Sequence, residues 1–163
     1  MSGSGSFGVN YKKSYGTDPA MMPAVVGDMG SCPDGQFVFV QANGAIAQYA
    51  FVTIANDGQA AELTTATAGS NNLMIGVAQV ALANNEYAWV WVGGPRGGGS
   101  GKGIKGKVAA NYVALNNLYT TSVDGVADDA SASVKLISYV VGLTSTTPAA
   151  AVELFSTGVM KVN

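Results

Sequence analysis

MIGVAQVALANNEYAWVWVGG, residues 74–94, reads as strand, turn, strand. Ile75, Val77, Val80 and Leu82 give its first arm an apolar, β-branched character. Asn84, Asn85 and Glu86 supply a polar turn, and Asn tolerates the left-handed backbone that tight turns need. Tyr87, Trp89 and Trp91 then alternate with Ala88, Val90 and Val92. A period of two sets the aromatics on one face and the aliphatics on the other. Both faces are apolar, so this strand is central to a barrel or sandwich, or lays one face on another subunit. Gly93, Gly94 and Pro95 end it, because proline removes a ladder donor and glycine frees the backbone.

Working outward, the same grammar recurs. Residues 36–41 (QFVFVQ) alternate Phe37 and Phe39 with Val38 and Val40. Asn43-Gly44 predicts a hairpin turn, with a return strand over 46–48. Residues 49–55 form a further strand closed by Asn56-Asp57-Gly58, and 59–68 suit a helical turn followed by extended chain. In the second half, 118–121 with Asp124-Gly125 echoes 37–40 with Asn43-Gly44, 138–143 echoes 73–77, and 151–155 echoes 87–92. The expected fold is all-β: a compact barrel or sandwich over 32–163, with two similar β units suggested by the echo. Residues 93–106 (GGPRGGGSGKGIKG) are expected to form a long exposed loop between the halves, carrying Arg96, Lys102 and Lys105 as peripheral basic contacts.

Residues 1–31 read as an extended N-terminal arm. Its first six residues are Gly/Ser-rich apart from Met1, and Phe7, Val9, Tyr11 and Tyr15 follow as spaced apolar residues with no local core. Asp18-Pro19 predicts one short helical turn, with Asp18 as cap and Pro19 in first position. Met21 and Met22 suit an adaptable contact surface. Phe7, Val9, Tyr11, Tyr15, Met21 and Met22 are therefore the candidate partner contacts of the arm, weighed against a plain disordered terminus.

Composition narrows the function classes. The chain has 163 residues, 48% hydrophobic and only 11% charged. About 25% charged is usual. So weakly charged a surface suits burial in an assembly better than life as a monomer. A net charge of −2 lacks the basic footprint of a nucleic-acid binder. No apolar run approaches the ~20 residues of a membrane helix, and the N-terminal residues lack the order of a secretion leader. The single cysteine, Cys32, excludes an intrachain disulfide.

Candidate chemistry is thin. The chain contains no histidine, which removes the commonest general base and metal ligand. A phosphate loop needs Gly-Lys-Ser/Thr, and here Gly101-Lys102 is followed by Gly103. Asp124, Asp128 and Asp129 lie close but match no calcium loop. Cys32 has no histidine to activate it. No catalytic residue, cofactor or metal site is expected. Tyr87, Trp89 and Trp91 read as subunit core or interface, with stacking of a sugar or base as the alternative.

The run GQFVFV at 35–40, the segment Ile75-Gly76-Val77-Ala78-Gln79 and the closing strand with Gly93 resemble the tailed-bacteriophage head-decoration (cement) proteins built from small β modules. The likeness spans about residues 34–158. It implies a non-enzymatic virion protein, usually a homotrimer, made in the host cytoplasm and seated on the capsid surface. Such a protein stabilises the shell by bridging neighbouring major capsid proteins, with no nucleic-acid or membrane partner. In that picture the arm staples adjacent capsomers. The alternative is a phage fibre or tail β domain that binds a host glycan.

Overall fold

The computed structural model describes residues 8–69, 73–130 and 134–163. Among these, twelve strands form one mixed sheet. A single 3-10 turn, Pro19–Met21, is capped by Asp18, whose side chain accepts from the Ala20 N–H, as the sequence predicts. The chain is all-β.

Strands β1 (Met29–Cys32), β2 (Gly35–Ala42), β3 (Phe51–Ile54), β4 (Gln59–Glu62), β5 (Met74–Ala78) and β6 (Tyr87–Gly93) come first. Then follow β7 (Gly97–Gly98), β8 (Lys105–Val108), β9 (Asn117–Thr120), β10 (Ala127–Asp128), β11 (Leu136–Gly142) and β12 (Ala150–Val162). The sheet closes on itself twice. One ladder runs β2–β4–β3–β5–β6 and returns to β2, where Phe37 faces Trp91 and Phe39 faces Trp89. The other runs β8–β10–β9–β11–β12 and returns to β8, where Lys105 faces Glu153. In both, the first strand pairs in parallel with the third and every other pairing is antiparallel. The molecule is two five-stranded barrels of one topology.

The equivalence extends to single hydrogen bonds. Leu82 N–H donates to the Ile46 carbonyl at 2.8 Å, and Thr146 N–H to that of Tyr112 at 3.0 Å. Tyr49 N–H reaches the Ala78 carbonyl at 2.7 Å, and Leu115 N–H that of Gly142 at 2.8 Å. Tyr49 and Leu115 share a left-handed backbone, φ 64° and 67°. The internal echo is therefore real in β5/β11 and β6/β12. Its first segment is displaced by one strand: 118–121 corresponds to β3, and the counterpart of β2 is β8.

β6 is buried along its whole length. Ala88, Val90 and Val92 join Val38, Val40, Val52 and Ile54 inside the first barrel. So narrow a barrel takes only small side chains; a Cβ on Gly76 would sit 2.3 Å from Val90 Cγ1. The aromatic face turns outward. With Phe37, Phe39 and Phe51 it joins a second core that includes Ile104, Leu118 and Leu154 of the other barrel. Burial of each such side chain is worth roughly 1.5–3 kcal/mol, so this outer face has to be covered.

Three local expectations are corrected. Asn43-Gly44 does not make a hairpin, because β2 is already flanked by β6 on one edge and by β1 and β4 on the other. Ile46 instead forms an isolated bridge with Leu82. Residues 59–62 are strand rather than helical turn, and turns follow them. Residues 93–106 are not an exposed linker: Gly97 and Gly98 form buried β7 on β12, and Lys105 already belongs to β8. A Cβ on Gly98 would lie 2.2 Å from the Leu154 carbonyl oxygen, so glycine serves close approach there, not mobility.

Candidate interaction surfaces

The arm lies on its own barrel. Tyr11 stacks on Phe37, with centroids 4.8 Å apart and planes 12° from parallel. Its hydroxyl donates to Asp34 Oδ2 at 2.7 Å. Tyr15 meets Phe39 edge-on at 5.7 Å, and its N–H donates to the Tyr87 carbonyl. Val9 fills the space above Gly30, where a Cβ would come 2.6 Å from Val9 Cγ2 and 3.1 Å from the Trp89 ring. Met22 packs partly buried against the same core, while Met21 is 74% exposed. Phe7 lies outside the described residues. Of the candidate arm contacts, Val9, Tyr11, Tyr15 and Met22 thus meet this chain, and Met21 faces solvent.

Tyr87, Trp89 and Trp91 are core residues between the first barrel, the arm and the second barrel. Trp91 Nε1–H donates to the Asp34 carbonyl, which also accepts from Gly98 N–H. Asp34 therefore ties together the arm, the β1–β2 turn, β6 and β7. In sequence it looks like one more turn aspartate, and only its place between Pro33 and Gly35 marks it. Burial, then the bond to Asp34, pushes the Tyr11 phenol up to about 12.

The basic residues do not form one loop cluster. Arg96 and Lys102 are exposed in the turns around β7. The Gly-rich tip is pinned by Glu153, whose carboxylate accepts from the N–H groups of Gly101 and Gly103. Lys105 lies on β8, and its backbone is clamped by the buried Gln79 side chain through bonds of 2.9 and 3.0 Å.

Several concave surfaces mark the described residues, and two of them bear on interaction. A shallow groove of about 250 Å³ on the second barrel is lined by Asn117, Tyr139, Val140, Val141, Phe155 and Thr157. Tyr139, the bulged residue of β11 with φ 71°, is half exposed, and Leu115, two residues before Asn117, is 66% exposed. By the barrel equivalence, Asn117, Val141 and Phe155 stand where the first barrel has Phe51, Val77 and Trp91. Those three are fully buried there, and Phe51 lies against Gly106 and Leu154 of the second barrel. The second surface is a cleft of about 370 Å³ where the arm meets both barrels, lined by residues including Tyr11, Lys12, Gln48, Tyr49, Gln79 and Lys105.

Among the described residues, no group of three or more His, Cys, Asp or Glu is placed to hold a metal ion, and no helix is long and apolar enough to cross a membrane. No family model, curated protein or solved structure matches the chain.

Proposed function

We propose that this chain is a structural protein of a phage virion, one that decorates the capsid surface and stabilises the shell by bridging neighbouring major capsid proteins. The observation that carries the reading is the open groove at Tyr139. The first barrel buries the corresponding face under the second; the second leaves its own uncovered and lines it with Tyr139, Val141 and Phe155. A rigid body with such a face suits attachment to a protein lattice, where many weak contacts add through multivalency. The scarcity of charge supports the same reading. The arm's part in it differs from the staple expected from sequence. Val9, Tyr11 and Tyr15 brace the chain internally, which leaves Met21, Val25 and Met29 as the exposed apolar residues at that end. Self-association as a trimer belongs to the same proposal.

The test is co-sedimentation with expanded and unexpanded shells of the accompanying major capsid protein, with light scattering of the free chain. Wild type should form a discrete oligomer and pellet with expanded shells. Tyr139→Glu combined with Phe155→Lys should abolish pelleting while leaving the melt unchanged. A monomer that ignores both kinds of shell would remove the proposal.

A further inference from the structure

The cleft between the arm and the two barrels has features that neither the fold nor lattice attachment requires. It is built from three separate parts of the chain: Tyr11 and Lys12 from the arm, Gln48, Tyr49 and Gln79 from the first barrel, and Lys105 from the second. The charged side chains lining it are two lysines, and no acid joins them. Among the described residues neither ammonium is ion-paired. Lys105 Nζ instead lies 6.0 Å from the centre of the Tyr49 ring, and Lys12 Nζ 5.7 Å from that of Tyr11. The acid opposite Lys105 is Glu153 on β12, and its carboxylate is taken up by the Gly101 and Gly103 N–H groups. Two like charges brought to one cavity with that acid so engaged leave a place for an anion.

The barrel equivalence separates what the fold demands from what is particular to this cleft. The left-handed backbone of Tyr49 is shared by Leu115, so it belongs to the fold. The side chains do not. The counterparts of Gln48, Tyr49, Gln79 and Lys105 are Ala114, Leu115, Leu143 and Phe39, all apolar. Where the three parts converge, polar and aromatic groups thus stand in place of aliphatic or apolar ones. Gln79 also fixes the cleft's charge. Its buried side-chain amide spans the Lys105 N–H and carbonyl, and its main-chain carbonyl accepts from Gln48 Nε2 at 3.1 Å. Lys105 is therefore presented from a clamped strand rather than a mobile loop, which lowers the entropy cost of binding.

We propose that this cleft binds an acidic saccharide: a sugar ring stacked on Tyr49, its carboxylate or phosphate held between Lys12 and Lys105. A phenol ring offers the apolar face that sugar C–H groups pack on, and the ammonium groups supply charge-assisted hydrogen bonds to the oxyanion. The inference goes beyond the capsid reading and does not depend on it.

The test is calorimetric titration of the full chain with glucuronate, glucose 6-phosphate, glucose and inorganic phosphate. At least one acidic sugar should bind saturably, one per chain, and the tighter of the two names the oxyanion. Glucose and inorganic phosphate should bind at least about tenfold more weakly, the worth of one charged hydrogen bond. Lys105→Gln should weaken the acidic sugar about tenfold. Lys12→Gln, on the exposed arm and remote from both barrel interiors, should do the same with an unchanged melting curve. The proposal is overturned if neither acidic sugar binds, if glucose or inorganic phosphate binds as tightly, or if both lysine variants bind like wild type.

Discussion

Removing the hydroxyl of Tyr11 isolates the bond that fastens the arm. In Tyr11→Phe the ring still stacks on Phe37, but the 2.7 Å bond to Asp34 is gone. A hydrogen bond to a charged group is worth about 1.5–3 kcal/mol, and the partial exposure of Asp34 places this one near the lower end. Tyr11→Ala loses the stack as well, about 0.5–1.5 kcal/mol, and the burial of the ring, about 1.5–3 kcal/mol. The expected losses are about 1.5 kcal/mol for Phe and about 4 kcal/mol for Ala. In a chain of this size, 1 kcal/mol shifts Tm by about 2–4 °C. Urea unfolding followed by the fluorescence of Trp89 and Trp91, beside the arm, measures both. Asp34→Asn completes the cycle, and it leaves the main-chain carbonyl that Trp91 and Gly98 use. The phenol gives a second handle. Its folded pKa lies at about 12, above the free value of 10.0, so the neutral form is favoured by folding. Its contribution is complete below pH 10, is lost as pH rises from 10 toward 12, and is missing throughout in Tyr11→Phe. If Tyr11→Ala melts with wild type, and the amides of Tyr15 and Tyr87 exchange equally fast in both, the arm does not brace the barrel.

Two further perturbations probe the second barrel. A Cβ on Gly106 would lie 2.7 Å from Leu154 Cδ1 and 2.8 Å from Phe51 Cε2. Gly106→Val should therefore cost about 1–3 kcal/mol by overpacking, and Phe51→Ala in the same chain should recover part of it; losses that simply add would show that Phe51 does not occupy that space. Asp129 accepts from Val113 N–H and Asn116 Nδ2. Burial opposes its charge, but the bonds from Asn116 and Val113 outweigh it and hold the carboxyl below its usual range. Its stabilisation is present above the unfolded carboxylate range and lost as pH falls through the lower folded value. Asp129→Ala should lower Tm by a few degrees at pH 7, with the gap to wild type closing in acid; a gap that persists would assign the loss to packing.

What the sequence discloses and what it hides divides by range. β6 is legible because six alternating residues carry their own evidence of two buried faces, and the Asp18 cap because its partners sit within three residues. The pairing that closes the first barrel, β2 with β6, joins segments some fifty residues apart and leaves no local mark. The arm was legible as sticky but not as self-directed, since Tyr11 and Tyr15 show their partners only once Phe37 and Phe39 face outward. The glycines at 97 and 98 read as flexibility because composition does not distinguish a glycine chosen for freedom from one chosen for close approach. Lys105 was concealed by the same run, although it corresponds to Phe39 in the clearest strand of the first half. At the cleft, sequence distance groups Lys102 with Lys105, whereas the fold brings Lys105 to the same cavity as Lys12.

The two barrels share a ladder but not a kind of core. The interior of the first is filled by its own aliphatic residues, from Val38 to Val92. The second carries Gly106 where the first has Val40, and Phe51 of the first lies against that space. Thr120 and Ser156 stand where the first has Ile54 and Val92, both fully buried. Both hydroxyls take partners from outside the second barrel, and Thr120 Oγ1 also accepts from Lys135 N–H within it. Thr120 bonds Thr65 at 3.0 Å, and Ser156 donates to the Gly94 carbonyl at 3.0 Å. Separated, the second barrel would lose the partners of the Ser156 hydroxyl and open a void, each a cost that its small interior offsets poorly. Strand β12 acts in the same direction, since Val159 and Lys161 pair with Gly93 and Met74 of the first barrel. A duplicated topology has thus become one cooperative unit. Under the proposed capsid role, that rigidity is what the open face at Tyr139 would need in order to transmit force between neighbours rather than flex apart.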